Sequence, residues 1–130
     1  VLGDRVPQVS GPGEIRPGAE FYDYADKYED GSAQLIDNPK LDPEVVVSLQ
    51  QNAAKAFTVL RCSGMARVDF FVSENDEIIL NEVNTIPGFT PISMYPRLWE
   101  KSGLSYSDLI DRLLGLGVQR YARHRNKTIR

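Results

Sequence analysis

The sequence predicts an α+β fold, in which an antiparallel β-sheet carries helices packed on one of its faces. Two segments place apolar residues at helical spacing, and a region between them holds two β-prone runs joined by a short turn. The predicted order is strand, loop, helix, hairpin, loop and helix. The 130 residues fit one domain.

Composition and charge exclude several classes of protein. No apolar run approaches the roughly 20 residues of a membrane span, and the single cysteine, Cys62, excludes a disulfide framework and favours a reduced, cytoplasmic setting. His124 is the single histidine, which excludes a Cys/His metal site. The net charge is −3, and the residues before position 120 carry a net charge of −8, so this acidic body argues against a nucleic-acid partner. No membrane partner is expected either.

The two ends of the chain carry separate expectations. The chain begins with Val1 and opens directly in strand-like sequence, which predicts a segment of a longer protein. Residues 118–130 form a basic tail, with five Lys or Arg from Arg120 onward. A solvated, frayed end is the favoured interpretation of this tail, and a nucleic-acid contact is the alternative.

The first elements are predicted to be one or two short strands followed by a long loop. Residues 6–9 and 14–16 are β-prone and are separated by Pro and Gly residues. Residues 29–41 are polar and rich in turn signals such as Asn38-Pro39. A functional lid and a poorly ordered surface loop both agree with this composition.

Three helical segments follow from capping residues and apolar spacing. Asp42 and Pro43 predict the start of the first helix, and Gly64 predicts its end. A short helical turn is predicted over residues 96–103. Ser105 begins the last helix, with Asp108 three positions later in an approximate capping box. The apolar stripe of the first helix consists of Val46, Leu49, Ala53, Phe57 and Leu60.

Residues 67–73 and 77–83 predict a β-hairpin around residues 74–76. Because side chains alternate along a strand, one face is predicted to pack against the helices and the other to remain open. The helix-side residues are predicted to be Val68, Phe70, Val72, Ile79, Asn81 and Val83. The open-side residues are predicted to be Arg67, Asp69, Phe71, Ile78, Leu80, Glu82 and Asn84.

The open face of this hairpin is the candidate site. A two-residue turn at Asn75-Asp76 would place Asp69 opposite Glu82 and Arg67 opposite Asn84, and a four-residue loop would shift the pairing by two but keep the face. Opposed carboxylates destabilise a sheet unless a cation lies between them, and oxygen-only ligands suit Mg²⁺, Mn²⁺ or Ca²⁺ but not zinc. The alternative is a solvated face balanced by Arg67.

Two further features surround these carboxylates. Phe71, Ile78 and Leu80 are predicted to form an apolar floor for a purine ring. Gly88, in a Pro-Gly turn, permits close backbone approach and an N–H directed at an anion, although a plain type II turn explains it equally well. No nucleophilic triad and no Walker-type loop is present. The spacing therefore predicts a magnesium–phosphate site on a sheet.

Several motifs in order resemble the C-terminal part of D-alanine–D-alanine ligases, which are ATP-grasp enzymes of peptidoglycan precursor synthesis. The matching runs are ARVDFF (66–71), LNEVNTIPGFT (80–90) and SMYP (93–96), and EFYDYADKY (20–28) resembles the stretch that leads into the family's ω-loop. The resemblance covers residues from about 13 to 114. It implies that residues 1–130 are a C-terminal ATP-grasp catalytic segment, with residues 27–41 as the ω-loop.

The resemblance also implies a role for individual residues. Two Mg²⁺ ions, or Mn²⁺, are expected on Asp69, Glu82 and Asn84, with Glu82 bridging them. Arg67 and the backbone N–H of Gly88 are expected to stabilise the tetrahedral oxyanion. Ser93 and the N–H of Met94 are expected to bind the carboxylate of the second substrate. The residues expected around ATP are Phe21, Lys27, Phe71, Asn81 and Glu82.

The implied reaction joins two D-alanines through an acyl phosphate formed from ATP. Lys27 is expected to reach the transferred phosphate, and Tyr28 is typical of relatives that form a dipeptide instead of an ester. The expected partners are ATP, D-alanine, the N-terminal and central parts of the same chain, and a second copy in a homodimer. The segment alone is expected to be inactive. The alternatives are a D-alanine–D-lactate ligase, another ATP-grasp carboxylate–amine ligase, and a non-catalytic nucleotide-binding module.

Overall fold

The computed structural model describes residues 1–16, 34–90 and 92–125. These residues contain short antiparallel strand pairs and three α-helices. The predicted α+β class is confirmed, and the strands within these residues form three two-stranded sheets instead of one continuous sheet. In chain order the elements are β1 (Leu2–Gly3), β2 (Glu14–Arg16), β3 (Gln34–Ile36), α1 (Pro43–Val59), β4 (Gly64–Met65), β5 (Arg67–Val72), β6 (Ile78–Asn84), α2 (Met94–Lys101) and α3 (Tyr106–Arg125).

Strand β1 joins the start of the chain to the middle of the sequence. It pairs with β4, and reciprocal backbone hydrogen bonds between Val1 and Ala66 (2.8 and 3.0 Å) extend the pairing by one residue. Ala66 alone separates β4 from β5, so one extended segment pairs first with β1 and then with β6. Of the two β-prone pieces that predicted one or two short strands, residues 14–16 form a strand, and in residues 6–9 Gln8 makes an isolated bridge to Leu2.

Strands β2 and β3 form a second antiparallel pair. β2 occupies the predicted residues 14–16. β3 lies inside residues 29–41, so the prediction of a loop is wrong for residues 34–36. Backbone pairing with β2 stabilises β3 although its flanking sequence is polar. Just beyond β3, Asp37 accepts a hydrogen bond from Arg97 of α2 (2.9 Å), which ties this hairpin to that helix.

Helix α1 begins as predicted and ends earlier. The Asp42 carboxylate accepts the backbone N–H of Glu44 (2.8 Å), and Pro43 occupies the first helical position. The predicted end at Gly64 is wrong, because the helix ends at Val59.

Arg61 terminates α1 in a conformation that usually belongs to glycine. The backbone N–H of Arg61 donates to the carbonyl of Thr58 (3.0 Å), and the N–H of Cys62 donates to the carbonyl of Phe57 (2.9 Å). Arg61 itself is left-handed, with φ 54°. This hydrogen-bond pattern is a Schellman motif, which satisfies the last carbonyls of the helix.

Strands β5 and β6 form the predicted hairpin with a different turn. Residues 74–76 make a three-residue loop in which Asp76 is left-handed (φ 59°), closed by a hydrogen bond from the N–H of Ser73 to the carbonyl of Glu77 (3.0 Å). This loop shifts the pairing by one residue from the predicted two-residue turn. A bulge at Asn81 shifts it back, so the far end of the hairpin has the predicted register.

Helices α2 and α3 depart from their predicted bounds. α2 begins two residues before the predicted segment 96–103. Ser105 Oγ accepts the N–H of Asp108 (3.2 Å) and donates to its carboxylate (2.7 Å), which confirms the predicted capping box. α3 then continues to Arg125, so residues 118–125 are helical where a frayed tail was predicted. Within the described ranges, no helix combines the length and apolarity needed to traverse a lipid bilayer.

Two buried clusters hold the described elements together. The α1 cluster (Val1, Ala53, Phe57 and Ala66) lies between α1 and the inner face of the β5–β6 hairpin. The α2–α3 cluster (Leu2, Tyr95, Trp99 and Leu109) joins β1, α2 and α3. Neighbours Val1 and Leu2 enter different clusters, because successive side chains of a strand point to opposite faces.

Candidate active site

Arg67, Asp69 and Glu82 form a charged cluster on the β5–β6 hairpin. Arg67 Nε donates to both carboxylate oxygens of Asp69 (2.8 and 3.0 Å), and Nη2 donates to Asp69 Oδ2 (2.8 Å) and Glu82 Oε1 (2.9 Å). The hydrogen bonds to Asp69, and then the charges of both carboxylates, raise the pKa of Arg67 above its usual range despite partial burial. Arg67 is therefore a permanent cation held between two carboxylates.

The register of the hairpin brings this cluster together. Asp69 lies opposite Glu82 and Arg67 lies opposite Asn84, which confirms the predicted pairing. The route to this pairing differs from the predicted one: the three-residue loop and the bulge at Asn81 each shift the register by one residue, and the two shifts cancel. The bulge therefore keeps both acids on the same face of the hairpin.

Beyond the bulge, the two faces of the hairpin differ from the prediction. Phe71 lies opposite Ile79, and Phe70 lies opposite Leu80. Because opposed residues share a face, the predicted grouping of Phe71 with Ile78 and Leu80 is wrong, as is the predicted position of Ile79 on the helix side. Phe71 and Ile79 are 61% and 50% exposed. Together they form an exposed apolar surface on the same face as the charged cluster, next to it in the direction of the hairpin loop.

The two asparagines of β6 have different surroundings. Asn84 Oδ1 accepts the backbone N–H of Ile86 (3.0 Å) and so closes the turn that leaves the sheet. Asn84 therefore has a folding role, which strand propensity did not suggest. Asn81 is the exposed bulge residue and lies outside the paired register.

The turn between β6 and α2 places Gly88 beside Ser93. A Cβ atom on Gly88 would lie 3.1 Å from Ser93 Oγ, which is tighter than ordinary packing. Ser93 Oγ accepts the N–H of Thr90 (3.0 Å) and shares a hydrogen bond with Thr90 Oγ1 (2.8 Å). The sequence did not single out Thr90, because no spacing signal separates it from the rest of the turn.

Ser93 and Met94 lie at the N-terminus of α2. Ser93 occupies the N-cap position without a side-chain cap, and Met94 is the first helical residue. Donors in the first turn of a helix have no intrahelical acceptor, so this end favours an anion. Behind the turn, Tyr106 Oη donates to the carbonyl of Phe89 (3.1 Å), and the two rings pack with centroids 5.4 Å apart.

Comparison with known proteins identifies the family. A sequence profile described as "D-ala D-ala ligase C-terminus" matches residues 1–115. The chain belongs to the D-alanine–D-alanine ligase family. It is 50% identical over 124 residues to the D-alanine–D-alanine ligase of Oceanobacillus iheyensis, a match that covers 95% of this chain and 34% of that protein. The chain thus spans about a third of the length of the curated relatives it matches.

Solved structures of the ligase family share this fold. The D-alanine–D-alanine ligase from Coxiella burnetii is 42% identical with a TM-score of 0.86, over 98% of this chain and 32% of that one. VanG D-Ala:D-Ser ligase from Enterococcus faecalis is 38% identical with a TM-score of 0.75, over 88% and 34%. The Bacillus anthracis D-alanine–D-alanine ligase complexed with ATP is 30% identical with a TM-score of 0.71, over 88% and 37%.

Some residues that the ligase resemblance assigns to the site lie outside the described ranges. These are Phe21, Lys27 and Tyr28, together with the part of the predicted ω-loop before residue 34. Their roles stay predictions. The predicted residues that the structure describes fall into two groups, one on the β5–β6 hairpin and one formed by Gly88, Ser93 and Met94.

The oxygen donors on the hairpin fit a hard divalent cation. Asp69, Glu82 and Asn84 offer carboxylate and amide oxygens, which Mg²⁺ and Mn²⁺ prefer and zinc does not. Within the described residues, no three His, Cys, Asp or Glu side chains come together, so the Asn84 amide would be needed as the third protein ligand. Arg67 balances part of the charge of the two carboxylates.

Proposed function

We propose that this chain is the C-terminal catalytic segment of an ATP-dependent D-alanine–D-alanine ligase that supplies D-alanyl-D-alanine for peptidoglycan precursors. The observation that carries the proposal is the Arg67–Asp69–Glu82 cluster on a hairpin whose second strand leads through one turn to Ser93. Membership of the ligase family and 50% identity to a named ligase support it.

The hairpin would bind the nucleotide through cations and an apolar surface. Asp69, Glu82 and Asn84 would hold two Mg²⁺ or Mn²⁺ ions, which, when bound, neutralise the phosphate charge that develops in phosphoryl transfer. Phe71 and Asn81 would contact ATP, together with Phe21, Lys27 and Glu82. The relative complexed with ATP supports this assignment.

Arg67 and the turn before α2 would serve the acyl-transfer step. The Arg67 guanidinium is held by Asp69 through three hydrogen bonds, so it presents positive charge with little reorganisation. Together with the N–H of Gly88 it would stabilise the oxyanion that forms when the second D-alanine attacks the activated first one. Ser93 Oγ and the N–H of Met94 would bind the carboxylate of that second D-alanine.

For the acceptor, which is the second substrate of the ligation, one specific alternative to D-alanine has support. Tyr28 favours an amine over the hydroxyl of D-lactate, and a neighbouring structure is a D-Ala:D-Ser ligase, whose named acceptor is also an amino acid. We therefore propose D-alanine as the acceptor and D-serine as the second candidate. We further propose that the full-length protein is a homodimer in the cytoplasm.

The decisive experiment measures D-alanine-dependent phosphate release by the full-length protein with ATP and Mg²⁺. Products formed with D-alanine alone, and with excess D-serine or D-lactate added, are identified by mass. We expect D-alanyl-D-alanine as the main product and no turnover by residues 1–130 alone. A predominant mixed dipeptide or ester would overturn the acceptor, and absence of D-alanine-dependent turnover would overturn the ligase assignment.

The role of Arg67 is tested in the same assay. We expect Arg67→Ala to lower kcat by about 10²- to 10³-fold, the usual effect of removing an oxyanion-stabilising group. Arg112→Ala, which removes a guanidinium from α3, is the matched control and should leave kcat unchanged. Equal activity of Arg67→Ala and the control, with both variants folded by circular dichroism, would refute the assignment.

A further inference from the structure

A basic pocket of about 410 Å³ lies beside the C-terminal part of α3. Its walls come from the turn after β1, the segment after α1 and the last turns of α3. It shares no residue with the candidate active site described above. Its ionisable lining residues are Asp4, Arg5, Arg61, Arg120, Arg123 and His124.

The charges in this pocket do not cancel. Asp4 pairs with Arg123. Arg5, Arg61 and Arg120 form no ion pair within the part of the chain that the structure describes. The ends of α1 and α3 each contribute about half a negative charge, so a net charge of about +2 remains.

A helix-dipole explanation covers only part of this cluster. Basic residues in the last turn of α3 stabilise that helix end whether or not a ligand is present. Arg5 lies in a turn and gains no such stabilisation. Arg61 is left-handed in the Schellman motif, where a side chain is unfavourable and glycine is the usual choice. The left-handed conformation costs free energy for any residue other than glycine, so an arginine at this position supports a use for its guanidinium.

We propose that this pocket binds a small ligand with at least two phosphate groups, such as the phosphate chain of a nucleotide or a free polyphosphate. Guanidinium groups bind phosphate oxygens in bidentate fashion, and three of them lack a carboxylate partner in the described residues. A volume of about 410 Å³ lies within the range of small-ligand sites. The proposal does not depend on ligase activity.

Titration calorimetry of the full-length protein with sodium tripolyphosphate tests this inference. Divalent cations are omitted, because without them the acidic pair Asp69 and Glu82 disfavours phosphate at the candidate active site. We expect one tripolyphosphate per chain with a submillimolar Kd. Arg61→Gly and Arg120→Gln should each raise this Kd about tenfold or more. Lys55→Gln, which removes one positive charge from exposed α1 surface, should leave it unchanged.

The variant Arg61→Gly distinguishes a loss of phosphate binding from a loss of folding. Glycine suits the left-handed conformation at this position, so the variant should melt no lower than the wild type while it binds tripolyphosphate more weakly. ATP binding that Arg61→Gly weakens, and that is as tight as tripolyphosphate binding, would show recognition of the phosphate chain alone. ATP binding that is tighter and equally weakened by Arg61→Gly would assign a nucleotide to this pocket.

Three results would overturn the proposal. The first is binding that Arg61→Gly and Arg120→Gln leave unchanged, and the second is binding only well above millimolar concentration. The third is orthophosphate, or a polyglutamate peptide, binding as tightly as tripolyphosphate, because the site would then not require linked phosphates.

Discussion

The α1 cluster and the α2–α3 cluster support different halves of the candidate active site. The α1 cluster is apolar, surrounds the fully buried Phe57 and contacts the inner face of the β5–β6 hairpin. The α2–α3 cluster contains two aromatic residues, Tyr95 and Trp99, and includes a polar contact, from Tyr95 Oη to the backbone carbonyl of Val1 (2.9 Å). The first cluster therefore lies under the carboxylates, and the second under the turn that carries Ser93.

This difference indicates how each half is held in place. Apolar packing is not directional, so the α1 cluster can stabilise the hairpin but leaves its register to the backbone hydrogen bonds and the bulge. Hydrogen bonds and tilted ring contacts are directional, so the α2–α3 cluster also orients the start of α2. Damage to the two clusters should therefore have different consequences.

The largest expected effect is that of Phe57→Ala. Phe57 is 0% exposed, and its removal leaves a cavity between α1 and the hairpin, which should lower the free energy of unfolding by about 3–5 kcal/mol. Urea denaturation of the full-length protein measures this. The matched control, Phe71→Ala, removes a ring that is 61% exposed and should change stability little while it raises KM for ATP. Equal destabilisation by both variants would contradict the packing described for the α1 cluster.

The substitution Gly88→Ala perturbs the half of the candidate active site that the α2–α3 cluster supports. The new Cβ would press on Ser93 Oγ, which two hydrogen bonds to Thr90 hold in place. Because the displacement is only a few tenths of an ångström, we expect KM for the second D-alanine to rise about tenfold with little change in KM for ATP.

Gly115→Ala is the matched control for this variant, since a Cβ there meets no atom within 4 Å. It should leave both KM values unchanged. A rise in KM for ATP alone after Gly88→Ala would show that this turn serves the nucleotide instead of the acceptor.

Tyr95→Phe isolates the polar contact of the α2–α3 cluster. The variant loses one hydrogen bond to a buried carbonyl that Ala66 N also contacts, so we expect a loss of about 1 kcal/mol in the free energy of unfolding. Tyr121→Phe removes an exposed hydroxyl from α3 and should cost nothing. If both variants unfold at the same urea concentration as the wild type, the contact does not contribute to stability.

Asp37→Asn should have the smallest effect. The hydrogen bond from Arg97 is the main cause that lowers the pKa of Asp37. A lowered pKa means that the ionised carboxylate stabilises the folded state above its unfolded pKa of about 3.9, and that this stabilisation disappears as the pH falls through the folded pKa. The variant should melt slightly below the wild type at neutral pH, and the difference should vanish in acid.

Melting curves across this pH range give the comparison, with Asp111→Asn on the exposed surface of α3 as the control. A difference between Asp37→Asn and the wild type that persists in acid would exclude the ion pair as its cause.

Features that depend on neighbours in the chain could be predicted. The Asp42 cap and the Ser105–Asp108 capping box form between residues two or three positions apart, so sequence spacing is sufficient to identify them. The apolar spacing of α1 predicted Phe57 in the core. The residues proposed for the active site were also chosen from sequence, through local runs that resemble the ligase family.

Contacts between distant residues decided the remaining features. The bulge at Asn81 and the left-handed Asp76 together set the register, and neither has a local signal strong enough to prefer it over the two-residue turn. β3 exists through its pairing with β2, and Arg61 meets Arg5 and Arg120 around one pocket only after α1, β1 and α3 pack together. Hydrogen-bond pairing and close packing act between segments far apart in the chain, whereas propensity and spacing describe one segment at a time.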